Sequence, residues 1–228
     1  MAIIFDDTEK SKIFKVDGYS LKMNLSSDEL KILREFVEAQ YHQVIQNKYP
    51  DLLEDFISVG IDRYHELSDK IDHSAIWPKL SRCLEQSSCE VIKTLPFWKQ
   101  LVNDFGNFMS GRVVYEKEIE WERDEMYWRI VRPSEPTDVG TLHADKWFHD
   151  SMKIRERVFP KDAHALKVWI PLYCEPGKNG LAIVPNSHKE LDRWQYKTVE
   201  IENTSKPRLV CDETKVETQL LETPPGNV

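Results

Sequence analysis

The sequence predicts an α+β protein, a helical N-terminal half followed by an antiparallel sandwich or barrel. Three observations lead there. Apolar residues recur at helical spacing through the first hundred or so positions. From Arg112 onward the rhythm changes to short segments rich in aromatic and β-branched residues, divided by clusters of Pro, Gly, Asn and Asp. No long helical stretch separates those segments, which argues against a parallel α/β sheet. The expected organisation is a helical region over residues 1–110 packed on a β core over 111–228, a single structural domain overall.

The elements follow in order. Ser26-Ser27-Asp28-Glu29 has the S-x-x-E spacing of a capping box, so a helix starts here. Leu30, Leu33, Val37, Val44 and Ile45, with Phe36 and Tyr41 beside them, carry its apolar stripe as far as Asn47, and the stripe needs an apolar partner, for which one sheet face is expected. Pro50 suits the first turn of a short helix through Leu52, Leu53, Phe56 and Ile57, closed by Gly60. Further helical stretches are expected at 64–71, 77–84 and 97–105, the last entered at Pro96 and left at Gly106. Val113-Val114-Tyr115 opens the first strand, and residues 126–131 make the second. Strands at 166–172 and 181–184 follow, with weaker candidates at 196–201, 208–211 and 216–221. The charged run 115–125 reads as a solvated hairpin or edge strand.

Composition narrows the function classes. The 228 residues carry 31 Lys plus Arg against 39 Asp plus Glu, a net charge of −8, so a non-specific nucleic-acid binder is not expected. With 40% apolar and 11% aromatic residues there is material for a core. No apolar run reaches the length of a membrane span of about 18 residues. The opening MAIIFDDTEK turns acidic too soon for a secretory signal, and a cytoplasmic location is expected. Cys83, Cys89, Cys174 and Cys211 are scattered without a C-x-x-C pair, which indicates neither a zinc knuckle nor a disulfide framework.

Seven histidines are present: His42, His65, His73, His143, His149, His164 and His188. His42 and His65 fall in predicted helices and read as structural. His143 stands apart in Gly140-Thr141-Leu142-His143-Ala144-Asp145. On an extended segment, positions i and i+2 point to one face. An imidazole nitrogen and a carboxylate oxygen can then converge on one ion, two-thirds of a 2-His-1-carboxylate triad for Fe(II). Taken alone an H-x-D pair is a weak signal, and a loop histidine salt-bridged to its neighbour explains it as well.

The surrounding motifs strengthen it. The run Tyr127-Trp128-Arg129-Ile130-Val131-Arg132-Pro133, a polar loop, and then Leu142-His143-Ala144-Asp145 resembles the phytanoyl-CoA dioxygenase family of iron- and 2-oxoglutarate-dependent oxygenases. Val168-Trp169-Ile170-Pro171-Leu172 followed by residues 179–189 is similar to that family's strand, turn and pro-gly-ser-his signature, with Asn186 where glycine is usual. Asn tolerates left-handed backbone angles, so the turn survives the exchange. Pro224-Pro225-Gly226-Asn227 looks like the start of the family's pro-gly-asp segment, with Asn227 in place of Asp. The resemblance runs from Met126 onward, about half the chain.

The resemblance implies a double-stranded β-helix (a cupin-like jelly-roll), incomplete at its C-terminus, with packing helices before it. It implies Fe(II) held by His143 and Asp145, and 2-oxoglutarate and O2 as cosubstrates of the oxidation of an unidentified small molecule. The family's third ligand, a histidine after the pro-gly-asp segment, and its 2-oxoglutarate arginine have no counterpart before Val228. A truncated or inactive chain is therefore expected. Tyr127 and Arg129 share one strand face, and a buried arginine there calls for an anion such as 2-oxoglutarate. A surface arginine paired with Glu118, Glu120, Glu122 or Asp124 is an equal alternative. Lys167 and Trp169 share a face likewise; Trp169 stands where the family packs beside the cosubstrate, and a plain core tryptophan fits as well. His188 is expected to brace its turn by a hydrogen bond, and His149 to line the mouth of the site. Two other readings stay open: a non-catalytic domain that binds a small acid or a partner protein, and a cupin-like protein holding another ion such as Zn(II). No membrane or nucleic-acid partner is expected, and a homo-oligomer would cover exposed sheet edges.

Overall fold

The computed structural model describes residues 10–76, 78–105, 112–116, 119–147, 166–201 and 204–228. They are helices with a few short antiparallel strands, an α+β composition, and they divide into two compact units. One comprises Met23–Asp138 with Pro225–Asn227; the other comprises Val139–Pro224 with the segment that ends at Lys22. No helix among the described residues is long and apolar enough to cross a membrane.

Helix α1, Ser27–Lys48, begins where the capping box predicts. Ser26 Oγ accepts the Glu29 N–H at 3.3 Å, and Glu29 Oε2 accepts the Ser26 N–H at 2.8 Å. The second oxygen of Glu29 accepts the Phe97 N–H at 2.8 Å, so one carboxylate serves the starts of two helices. Ser26→Ala is expected to cost about 1 kcal/mol, read by urea denaturation. An unchanged midpoint would show that the box holds nothing.

The chain turns through Pro50–Leu52 into α2, Leu53–Val59, and leaves it at Gly60, whose φ of 85° suits glycine. The stretch expected as a helix at 64–71 is instead two 3₁₀ turns, Ile61–Glu66 and Ser68–Lys70. Around the next one only Lys79–Arg82 is helical (α3). Helix α4, Gln86–Thr94, has no counterpart in the sequence reading. Leu95 is extended, as the residue before a proline prefers, and α5 follows over Pro96–Phe105. Trp77 and Gly106 lie outside the described residues.

The α1 stripe buries Leu33, Val37, Tyr41, Val44 and Ile45. Its partner is not the expected sheet. The Tyr41 ring meets Phe56, Tyr64 and Trp128 edge-on at centroid distances of 6.3, 6.0 and 6.4 Å. Gln40 donates to the carbonyls of Ser81 and Cys83 at 3.1 and 2.6 Å, tying the same face to α3 and the residues after it. An aromatic cluster inside the helical unit thus does the covering.

The first strand expected at Val113 is β1, Arg112–Glu116, and it pairs antiparallel with β2, Ile119–Asp124, the hairpin expected for the charged run. The strand expected at 126–131 is reduced to one bridge, Tyr127 opposite Cys83. It is fixed by the Leu84 N–H to Met126 O (2.8 Å) and the Trp128 N–H to Arg82 O (3.1 Å). Asn227 bridges to Asn24, and its amide donates to Met23 O at 3.0 Å, bringing the pro-pro-gly-asn segment into this unit.

In the second unit β3, Ala182–Ile183, pairs with β6, Gln219–Leu220, and β4, Tyr196–Ile201, pairs with β5, Thr204–Leu209, all antiparallel. Residues 166–171 take no regular secondary structure, so the strand expected at 166–172 is absent. The described strands make three separate two-stranded ladders, and a rolled pair of sheets is not among them. Trp147 stacks on Tyr196 at 5.1 Å. Asn186 does adopt the left-handed conformation, at φ 62°. Among the described residues the buried Nε2 of His188 has no hydrogen-bond partner. The ring packs instead on Gly18, where an added Cβ would stand 2.4 Å from Nδ1.

Candidate metal centre

His143 and Asp145 do converge, although the local backbone is not the extended segment that the i, i+2 argument assumed. A helical turn opens at Asp145, with the Trp147 N–H bonded to Ala144 O at 2.9 Å. The loop before it is held by the Leu142 N–H donating to Glu213 Oε2 at 2.9 Å. His143 Nε2 lies 3.5 Å from Asp145 Oδ1, and the two side chains are 38% and 43% exposed.

The tautomer follows from the second ring nitrogen. Nδ1 of His143 lies 2.7 Å from the Thr141 carbonyl oxygen, which can only accept, so Nδ1 carries the hydrogen. In the neutral ring Nε2 then presents a lone pair toward a carboxylate. Two lone pairs facing each other need a cation between them, either a proton or a metal ion. The Asp145 carboxylate holds the imidazole pKa above its ordinary value, against the effect of burial and helped by Thr141 O. Lys167 approaches the other oxygen, Nζ to Oδ2 at 3.6 Å. Lys167, predicted for the cosubstrate, thus joins the predicted ligand pair.

The donor set suits a first-row divalent ion. Two donors each about 2.1 Å from one ion span a gap of this size, and imidazole nitrogen with carboxylate oxygen is the mixture that Fe(II), Mn(II) or Zn(II) accepts. A back-bonded Nδ1 is the outer-shell support that metal-bound histidines usually have. No group of three His, Cys, Asp or Glu placed to hold an ion occurs among the described residues. His149, expected near the mouth of the site, lies outside them.

The remaining predicted residues are placed elsewhere. Trp169 packs beside Gly180, where its Cη2 would be 3.8 Å from an added Cβ. Tyr127 and Arg129 belong to the helical unit. Tyr127 lies under the Arg82 guanidinium, 5.6 Å from its carbon, and Arg129 donates to the Asp138 carbonyl. Burial lowers the Arg129 pKa, opposed by Tyr127 and Asp138.

Sequence reasoning passed over Asp138 and its neighbours Tyr64, His73 and Arg132, a buried polar cluster in the helical unit. Asp138 sits in a stretch whose Pro and Gly content reads only as loop, and no local spacing announces its partners. Comparison with known proteins adds no constraint: no family model, no curated protein and no solved structure matches the chain.

Proposed function

We propose that the chain is a cytoplasmic non-haem Fe(II)- and 2-oxoglutarate-dependent oxygenase of the phytanoyl-CoA dioxygenase type, acting on a small molecule. In this reading the second unit contributes to a double-stranded β-helix core. The observation that carries it is the 3.5 Å approach of His143 Nε2 to Asp145 Oδ1, with Nδ1 tied back to Thr141. His143 and Asp145 would hold the iron, which would supply the redox chemistry that couples 2-oxoglutarate decarboxylation to oxidation of a C–H bond. The protein's own groups do the positioning. Thr141 O fixes the imidazole plane and tautomer, Asp145 Oδ1 faces the same point, and the Lys167 ammonium orients the carboxylate through Oδ2 and offers a cation to an acidic cosubstrate. One observation favours a second reading, a non-catalytic domain that binds a small acid: the donors among the described residues stop at two.

Mn(II), a redox-stable stand-in for Fe(II), tests the site through its electron paramagnetic resonance signal. One saturable, weak site per chain is expected at neutral pH, tightening as pH rises and the imidazole gives up its proton. His143→Ala and Asp145→Ala should each weaken it about tenfold or more. Binding that both variants leave unchanged would refute the assignment.

A further inference from the structure

Asp138 is 2% exposed and is the last residue of the helical unit before the chain enters the other one. Its carboxylate faces two side chains, Arg132 and His73, and through its main chain and the His73 ring the network reaches Arg129 and Tyr64. Arg132 donates its backbone N–H and Nε–H to Oδ2 at 2.9 and 2.8 Å, and its Nη2–H to Oδ1 at 2.9 Å. Arg129 donates to the Asp138 main-chain carbonyl. His73 Nε2 stands 3.3 Å from Oδ2, and on the other side of the ring Nδ1 is 2.9 Å from the Tyr64 hydroxyl. Tyr64 and His73 are buried as well, at 1% and 8% exposure.

Proton placement in this cluster is determined by charge. A hydrogen on Nε2 puts the positive edge of the ring toward the carboxylate, and Nδ1 then accepts from the Tyr64 hydroxyl. The ring adds no charge in this state, in which Arg132 pairs with the Asp138 carboxylate. A second proton on the ring turns Nδ1 into a donor, so the Tyr64 hydrogen loses its acceptor inside the core. It also adds a positive charge to a buried site that already holds the Arg129 and Arg132 guanidinium groups. The other ionisable groups facing His73, Asp72 and Glu135, are exposed to water and compensate little. The segment that the cluster holds includes Ser134 at φ 60°, a left-handed residue that persists only while its surroundings fix it.

We propose that Tyr64, His73, Arg132 and Asp138 form an acid-released latch, which holds residues 129–138 at the exit from the helical unit and lets them go when His73 is protonated. The proposal stands apart from the metal site. The direction of titration agrees with it: burial lowers the His73 pKa against the opposing pull of Asp138. A histidine depressed in the closed state stabilises that state fully above the open-state value of about 6.5, and the stability is lost as pH falls below it. Asp138 behaves separately. Burial would raise its pKa, but the Arg132 hydrogen bonds and His73 hold it below the ordinary carboxylate value, so its own contribution is lost only at lower pH, below about 4.

Hydrogen exchange of the full chain, read by mass spectrometry on peptides covering 129–138, tests the latch between pH 7.5 and 3. After correction for the intrinsic exchange rate, opening should rise by up to about tenfold per pH unit below about 6.5. Peptides from β4 and β5 should stay flat. In His73→Gln the amide can donate to Asp138 and accept from Tyr64 without titrating, so the same segment should also stay flat. A flat wild-type profile, an equal rise in His73→Gln, or a rise that starts only below about pH 4 would overturn the proposal. Should the variant not fold, the nuclear magnetic resonance titration of the His73 ring proton in the wild type decides. Its midpoint must coincide with the exchange midpoint, and a mismatch overturns the proposal.

Discussion

Replacing Leu33 and Val37 together by aspartate should leave no folded helical unit. Both are buried, at 7% and 6% exposure, one turn apart on the α1 face that carries Tyr41. Each exchange removes about 2 kcal/mol of apolar burial and forces a carboxylate into a buried place, at a cost of several kcal/mol more. Two such changes exceed the lower part of the usual stability range of about 5–15 kcal/mol. Soluble yield and the far-ultraviolet circular dichroism melt are the measurements, with loss of the cooperative transition expected. Lys31 and Glu35 supply the control, being 74% and 59% exposed on the same helix and 3.8 Å apart. Their joint replacement by alanine should shift stability by less than about 1 kcal/mol. An unchanged melt in the aspartate double variant would mean that the stripe packs on nothing.

Features fixed by neighbouring residues were legible in the sequence. The Ser26–Glu29 box, the Pro50 entry, the Gly60 exit and the Pro96 start are each set by a few adjacent side chains and backbone angles. Helix α4 was not legible, because its Ser87, Ser88 and Thr94 are poor helix formers and no side chain caps it. Contacts from far along the chain support it: Gln86 donates to Asp124 Oδ2 at 3.0 Å, and Lys93 pairs with the same carboxylate. The segment at 126–131 misled in the opposite sense. Its aromatic and β-branched residues favour a strand, but its backbone partner is the turn at 82–84, which is long enough for one bridge. The approach of His143 to Asp145 was legible, since the two lie within three residues. The Asp138 cluster draws on three separate stretches of chain, and no pattern within any one of them encodes it.

With Fe(II), 2-oxoglutarate and ascorbate, the chain should release succinate no faster than the same mixture without protein. Two donors on a partly exposed turn hold iron with neither the affinity nor the fixed open face that three supply. Arg129, the guanidinium expected to meet 2-oxoglutarate, is engaged with the Asp138 carbonyl in the helical unit. Lys167 is the cation beside the pair, and its contact with Asp145 must loosen before it can serve an acid. Free imidazole offers a direct way to probe for the third donor that the described residues do not supply, since it can occupy a vacant coordination position without changing the chain. Succinate release that rises with imidazole in the wild type, but not in His143→Ala or Asp145→Ala, is the expected pattern. It would identify the third ligand as the limiting deficiency. Rapid iron-dependent release without imidazole would contradict the prediction and show that a donor outside the described residues, such as His149, or one from a second copy of the chain completes the site.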